Sequence, residues 1–169
     1  QVVHASLDLV CFADHAESCL FTAVRGTDRN LNPLTFPRDW SNNLLIAVGS
    51  EPYSRTAVAL DYYRQTRSKF LNYTSYGSGH SLGGAVMVQL AKHMEEVPDY
   101  RFARIDVFNT ATSPFSRGFI WLHETVLHVH RVPGDWASMG LSSLTDPNLH
   151  VHLVKPHVPE RHSLVHFLP

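Results

Sequence analysis

Ser75–Lys92, SYGSGHSLGGAVMVQLAK, sets four glycines around one serine and runs at once into an apolar segment. Tyr73–Gly77 reads as a short strand entering the glycines. Leu82–Glu95 reads as a helix with Val86, Leu90 and Met94 on one stripe. Gly79-His80-Ser81-Leu82-Gly83 lies at the junction. A sharp turn from strand to helix strains its central residue, and a side chain two positions before or after would strike the neighbouring strand and helix. Gly84 then lets the helix close on the sheet, while Gly77 ends the strand. The turn would leave the Ser81 hydroxyl exposed at a helix N-terminus, where free N–H groups and the dipole favour negative charge.

Working outward, Asp8–Ala13 and Ser18–Val24 read as two strands around a short turn. RGTDRNLNPLTFPRDW is too polar and broken by proline to be an element. A helix is expected from Pro52 to about Ser68, with Ala57, Leu60 and Tyr63 at helical spacing. RIDVFNT, TVLHVHRV and LHVHLVKP are strands, SPFSRGFIWLHE is irregular or a short helix, and PERHSLVHFL closes as a short helix. Strands alternating with helices indicate an α/β fold. We expect a compact, mostly parallel sheet with an N-terminal antiparallel hairpin and helices on both faces. Catalytic groups in such folds gather at the carboxyl ends of the strands.

The chain has 169 residues, which suits one domain over 1–169 with a real core. A net charge of −1 with no basic run argues against a nucleic-acid partner. No apolar stretch approaches the ~20 residues of a membrane span. The N-terminus lacks a basic region and a cleavage site, and it lacks an initiating Met, which points to a processed form or a piece of something longer. The lean is toward a secreted protein. Cys11 and Cys19 would face each other if the hairpin turned on His15, so a cross-strand disulfide and two buried thiols are both open. Twelve histidines are many for this length. His128 and His130 share one strand face, as do His150 and His152. No Cys or carboxylate cluster at ligand spacing joins them, so they read as half-buried strand histidines and no metal or other cofactor is expected.

G-x-S-x-G by itself arises by chance in roughly one chain of this size in twenty. Context raises it: a strand before, a helix after, and the longer string GHSLGG. A serine on such an elbow is a nucleophile once a base, itself oriented by an acid, takes its proton. At this point the chain resembles the class 3, fungal-lipase-like branch of the α/β-hydrolases. GHSLGGA is similar to that family's elbow, FTAVRGT to its strand ending in Phe-Arg-Gly-Thr, and DWSNNL to the Asp-Trp-x-x-Asn-Leu that follows. The resemblance implies an oxyanion hole formed by Thr27 and by the backbone N–H of Leu82. It also implies the chain order Ser, acid, His.

After Ser81 the aspartates are Asp99, Asp106, Asp135 and Asp146. Asp106 lies inside a strand. Asp135 lies in a turn at the carboxyl end of one, and RVPGDWAS resembles the family's acid segment, so Asp135 is the expected acid with Asp146 as runner-up. ERHSLVHFL resembles the family's ending, which makes His162 the expected base with His157 in reserve. The expected activity is hydrolysis of a lipid ester, of the triacylglycerol lipase or phospholipase A1 type, through Ser81, Asp135 and His162. The rival readings are an idle lipase-like scaffold that binds a partner, and an acyltransferase using the same triad. Residues 28–38 fall where the family carries a lid, which would give transient contact with a lipid interface. Val24 stands where the family has phenylalanine, FNTATSPF departs from its usual strand end, and the chain is short for a member. Those departures bear on the pocket more than on the triad.

Overall fold

The computed structural model describes residues 1–26, 53–111, 122–135 and 147–168. Their strands form one seven-stranded sheet in chain order, β1 (Val2–Ala5), β2 (Leu9–Asp14), β3 (Cys19–Val24), β4 (Thr74–His80), β5 (Arg104–Phe108), β6 (Val126–Arg131) and β7 (Leu149–Leu153). The first three pair antiparallel. From β3 to β7 every neighbour is parallel. This is the expected α/β architecture, with β1 as an additional edge strand.

Helix α1 (Tyr53–Arg67) links β3 to β4, and α2 (Leu82–Glu95) links β4 to β5. Helix α2 is the centre of the core: Leu82 to Ala91 and Met94 are buried against Leu20, Ile105, Val107 and Leu127. Burying a side chain of the Leu, Val or Met type contributes about 1.5–3 kcal/mol, so this helix is fixed by packing more than by propensity. Phe167, on a 3-10 turn at Leu164–Phe167, meets Phe108 on the sheet face opposite the buried Ile105 and Val107, with ring centroids 5.1 Å apart. The expected short closing helix is thus a single 3-10 turn, started by the Ser163 hydroxyl accepting from the Val165 N–H.

Three other expectations shift. β4 continues through His80, which puts Gly77 in mid-strand; a Cβ there would run into Met87 and Ile105, so the glycine makes room for the core. In α1 the buried side is Thr56, Ala59, Tyr63 and Thr66 flanked by Arg55 and Arg67, while Ala57 is exposed. The inward face of that helix is largely polar because it secures loops. Arg67 donates to the Phe70 and Leu71 carbonyls beyond its own end. Lastly, the hairpin turns on residues 15–18, which pairs Cys11 with Thr22 and Cys19 with Asp14. Cys11 points into the core and Cys19 does not, and both thiols are free. Burial pushes the Cys11 thiol up, with hydrogen bonds to Thr22 and Thr66 opposing, so it stays in the unreactive protonated form.

The C-terminal end of α2 is tied to the start of β6 by one carboxylate. Glu95 accepts the backbone N–H groups of His123, Glu124 and Thr125 at 3.1, 2.8 and 2.9 Å. Burial would raise its pKa, but the three N–H bonds outweigh it and hold the carboxyl below its ordinary value. A depressed carboxyl stabilises the fold above the unfolded pKa, about 4.3, and loses that contribution as pH falls through the folded value. Glu95→Gln is therefore expected to lower stability by on the order of 1 kcal/mol at pH 7, discounted for partial exposure. The gap should close as the pH drops below about 4. Urea midpoints of both proteins across pH 3–7 check it; parallel curves would sink the idea.

Candidate active site

Ser81 sits between β4 and α2 with φ 55° and ψ −125°, a backbone that a residue with a Cβ adopts only under strain. The surroundings impose it. The Ser81 N–H donates to the Phe108 carbonyl at 3.0 Å, and the Ser81 carbonyl accepts from Gly84, Ala85 and Ala111 at 3.0, 3.3 and 3.0 Å. A Cβ at Gly79 would run into the Gly83 backbone, and one at Gly83 into the backbone of Val24 and Arg25. The two glycines thus let β3, β4 and α2 meet at one point, directly beneath the serine. Leu82 is the first residue of α2, and a first-turn N–H has no partner within its helix.

Asp135 lies just past β6 on a tight turn, its N–H donating to the Val132 carbonyl at 3.1 Å. Gly134 supplies that turn's φ of 80°, and Asp135 is fully buried. His162 comes from the closing segment. Its Nδ1 is 2.9 Å from the Asp135 Oδ1, and its Nε2 is 2.7 Å from the Ser81 Oγ. A carboxylate can only accept, so Nδ1 carries the proton and Nε2 is left to accept from the hydroxyl. Three residues separated by 54 and 27 positions thus form one continuous chain of hydrogen bonds.

Residues not singled out in the sequence brace this chain. The His80 Nε2–H donates to the His162 carbonyl at 2.9 Å. Asn109, fully buried at the end of β5 with φ 41°, donates from Nδ2 to the Arg161 carbonyl and accepts the Val132 N–H at Oδ1, both at 2.9 Å. Arg161 in turn donates to the Pro133 carbonyl at 2.7 Å. The two loops that carry Asp135 and His162 are thereby cross-linked to each other and to the strand beside the elbow. Arg55 of α1, completely buried, pairs with Asp8 at 3.4 Å and donates to the Arg25 and Gly26 carbonyls, fixing the chain immediately before Thr27.

The other candidates fall elsewhere. Asp106 is held by Arg104 and His130 on the sheet. His157 bonds the Val165 carbonyl at 3.0 Å through Nε2. Asp99 sits in a 3-10 turn, Pro98–Tyr100, past the far end of α2 from Ser81. Thr27, Asp146 and residues 28–38 lie outside the described residues.

No protein-family model matches the sequence, and no curated protein matches it. Among solved structures the fold is similar to a lipase from Rhizopus microsporus var. chinensis, with a TM-score of 0.45 and 14% identity over 78% of this chain and 53% of that one. The Rhizomucor miehei triacylglyceride lipase gives a TM-score of 0.45 and 15% identity over 78% of this chain and 57% of that one. Lip2 lipase from Yarrowia lipolytica gives 0.41 and 13% over 96% and 68%. The chain thus spans little more than half the length of the first two. It is a likeness of backbone path over part of each chain; the side-chain arrangement described above belongs to this chain.

Proposed function

We propose that the chain is one α/β domain acting as a serine ester hydrolase. The observation that carries this reading is the hydrogen-bonded run Asp135–His162–Ser81, at 2.9 and 2.7 Å, on a strained strand-to-helix turn. In this mechanism the Ser81 Oγ attacks the acyl carbonyl while the His162 Nε2 takes its proton. Asp135 keeps Nδ1 protonated and stabilises the imidazolium that forms. The Leu82 N–H, with Thr27 as the second donor of the oxyanion hole, donates to the carbonyl oxygen as negative charge develops on it; losing one such donor typically costs about 10²–10³ in rate. The imidazolium then protonates the departing alkoxide, leaving an acyl-serine. Water activated by the His162 Nε2 attacks that ester, and collapse of the second tetrahedral intermediate returns the proton to Ser81.

The substrate proposed is a lipid ester, an acylglycerol or the sn-1 ester of a phospholipid, with residues 28–38 as the part that meets the lipid interface. A fluorophosphonate probe and a series of acyl esters of increasing chain length test the reading. Stoichiometric labelling that maps to Ser81, with turnover rising toward long acyl chains and above the concentration at which the substrate forms aggregates, is the expected result. Absence of labelling in folded protein would end the enzyme reading. A preference for short soluble esters would remove the lipid assignment and the interfacial role of 28–38.

A further inference from the structure

Away from Ser81, β6 and β7 bring three histidines together. His128, His130 and His152 each offer a ring nitrogen, and the three nitrogens lie within 4.8 Å of one another. Their strand neighbours Leu127 and Val129 are buried in the core with α2, so the imidazoles occupy the opposite face of the sheet. Register sets the grouping: His130 pairs with His152 across β6 and β7, and Asp106 on β5 pairs with His128. The His152 Nε2 and His128 Nδ1 are 2.9 Å apart, and the His130 Nε2 is 2.8 Å from the Asp106 Oδ1. The rings stack, with centroids 4.6 Å apart for His130 and His152 and 5.0 Å for His128 and His152.

We propose that His128, His130 and His152 bind one divalent transition-metal ion of the zinc class, with Asp106 orienting His130. Imidazole nitrogens suit zinc, copper and nickel, in contrast to the oxygen-binding calcium and magnesium. Two nitrogens at 2.9 Å share a single proton. An ion with metal–nitrogen distances of about 2.0–2.1 Å holds its ligands roughly 3.3 Å apart, so replacing that proton asks for only a small opening of the pair. A carboxylate on the far nitrogen of a ligating histidine fixes its tautomer and raises its basicity, and Asp106 stands in that relation to His130.

Arg104 opposes the ion, but its guanidinium is engaged with both oxygens of Asp106 at 2.7 Å. The site is open, since His152 is exposed and the other two are half-buried, and three protein ligands leave a fourth position for water. An ion here would clasp β7 to β6. The inference is independent of the proposed chemistry at Ser81.

ZnCl₂ titrated into the purified protein, followed by calorimetry, is expected to show one ion per chain. CoCl₂ is expected to give the visible absorption bands of a four-coordinate nitrogen site. His152→Ala removes a direct ligand and should weaken zinc binding by more than the roughly 10–100-fold that loss of an outer-shell partner costs. Because His152 is exposed, this variant should keep the wild-type circular dichroism. His93→Ala, on the exposed side of α2, should bind as wild type does. Zinc should raise the melting temperature of wild type and of His93→Ala but not of His152→Ala. No one-to-one binding by wild type, or wild-type affinity in both His152→Ala and His128→Ala, would overturn the proposal.

Discussion

Ser81→Ala is expected to lower ester turnover by roughly four to six orders of magnitude while leaving the melting temperature almost unchanged. The substitution removes one oxygen, and with it the attacking atom and the acceptor of the acyl group. It leaves the backbone in place, because φ at 81 is imposed by the Ser81 N–H donating to Phe108, by the Ser81 carbonyl accepting from Ala111 and by the glycines on either side. The lost side-chain bond to His162 is worth on the order of 1 kcal/mol. Whatever turnover remains measures the Leu82 N–H and substrate positioning acting on water alone. Initial rates with one ester, beside thermal melts of both proteins, give the comparison. A variant within tenfold of wild type would remove the acyl-enzyme from the mechanism.

Asp135→Asn should cost about 10⁴ in kcat, through a proton rather than through the fold. An asparagine is nearly isosteric and fits the fully buried site. Its amide, however, can donate to the His162 Nδ1, which moves the imidazole proton to Nε2. That nitrogen faces the Ser81 Oγ at 2.7 Å and must be bare to accept the hydroxyl proton. The expected pattern is therefore unchanged circular dichroism and little change in KM, with kcat and the rate of fluorophosphonate labelling falling together. Activity close to wild type would take the acid role from Asp135 and hand it to Asp146.

Features set by neighbours in the chain were the ones legible in sequence. The bounds of α2 follow from an uninterrupted apolar stripe and four glycines, and β5 to β7 follow from runs of alternating residues between breaks. Gly134 and Asp135 announce a turn at the end of a strand. Features set by pairing across the sheet were not legible. Whether Cys11 meets Cys19 depends on a shift of three residues in the hairpin register, which the sequence of the turn does not dictate. The histidines on β6 gain a carboxylate and a third imidazole only once β5 and β7 are laid beside them in register. Helix α1 misleads for another reason. Its inward side carries Arg55 and Arg67, which satisfy loop carbonyls, beside Thr56 and Thr66, so hydrophobic periodicity finds Tyr63 and the partly buried Leu60 but misplaces Ala57. Asn109, His80 and Arg161, which brace the two loops, bond mostly to backbone atoms, and no spacing in the chain announces such bonds.

The backbone at Ser81 also carries a history. Among the described residues, three other than glycine have positive φ: Ser18, Ser81 and Asn109. Ser18 closes an exposed hairpin, where a polar residue tolerates that conformation at small cost. The other two stand together at the elbow, each holding of order 1–3 kcal/mol of strain that glycine would relieve. Most substitutions destabilise a protein, and ones that would relieve strain this directly are easily reached. A lineage drifting under pressure for stability alone would have settled on glycine at position 81. On the proposed mechanism, serine at 81 forgoes that relief in exchange for the hydroxyl group that attacks the ester.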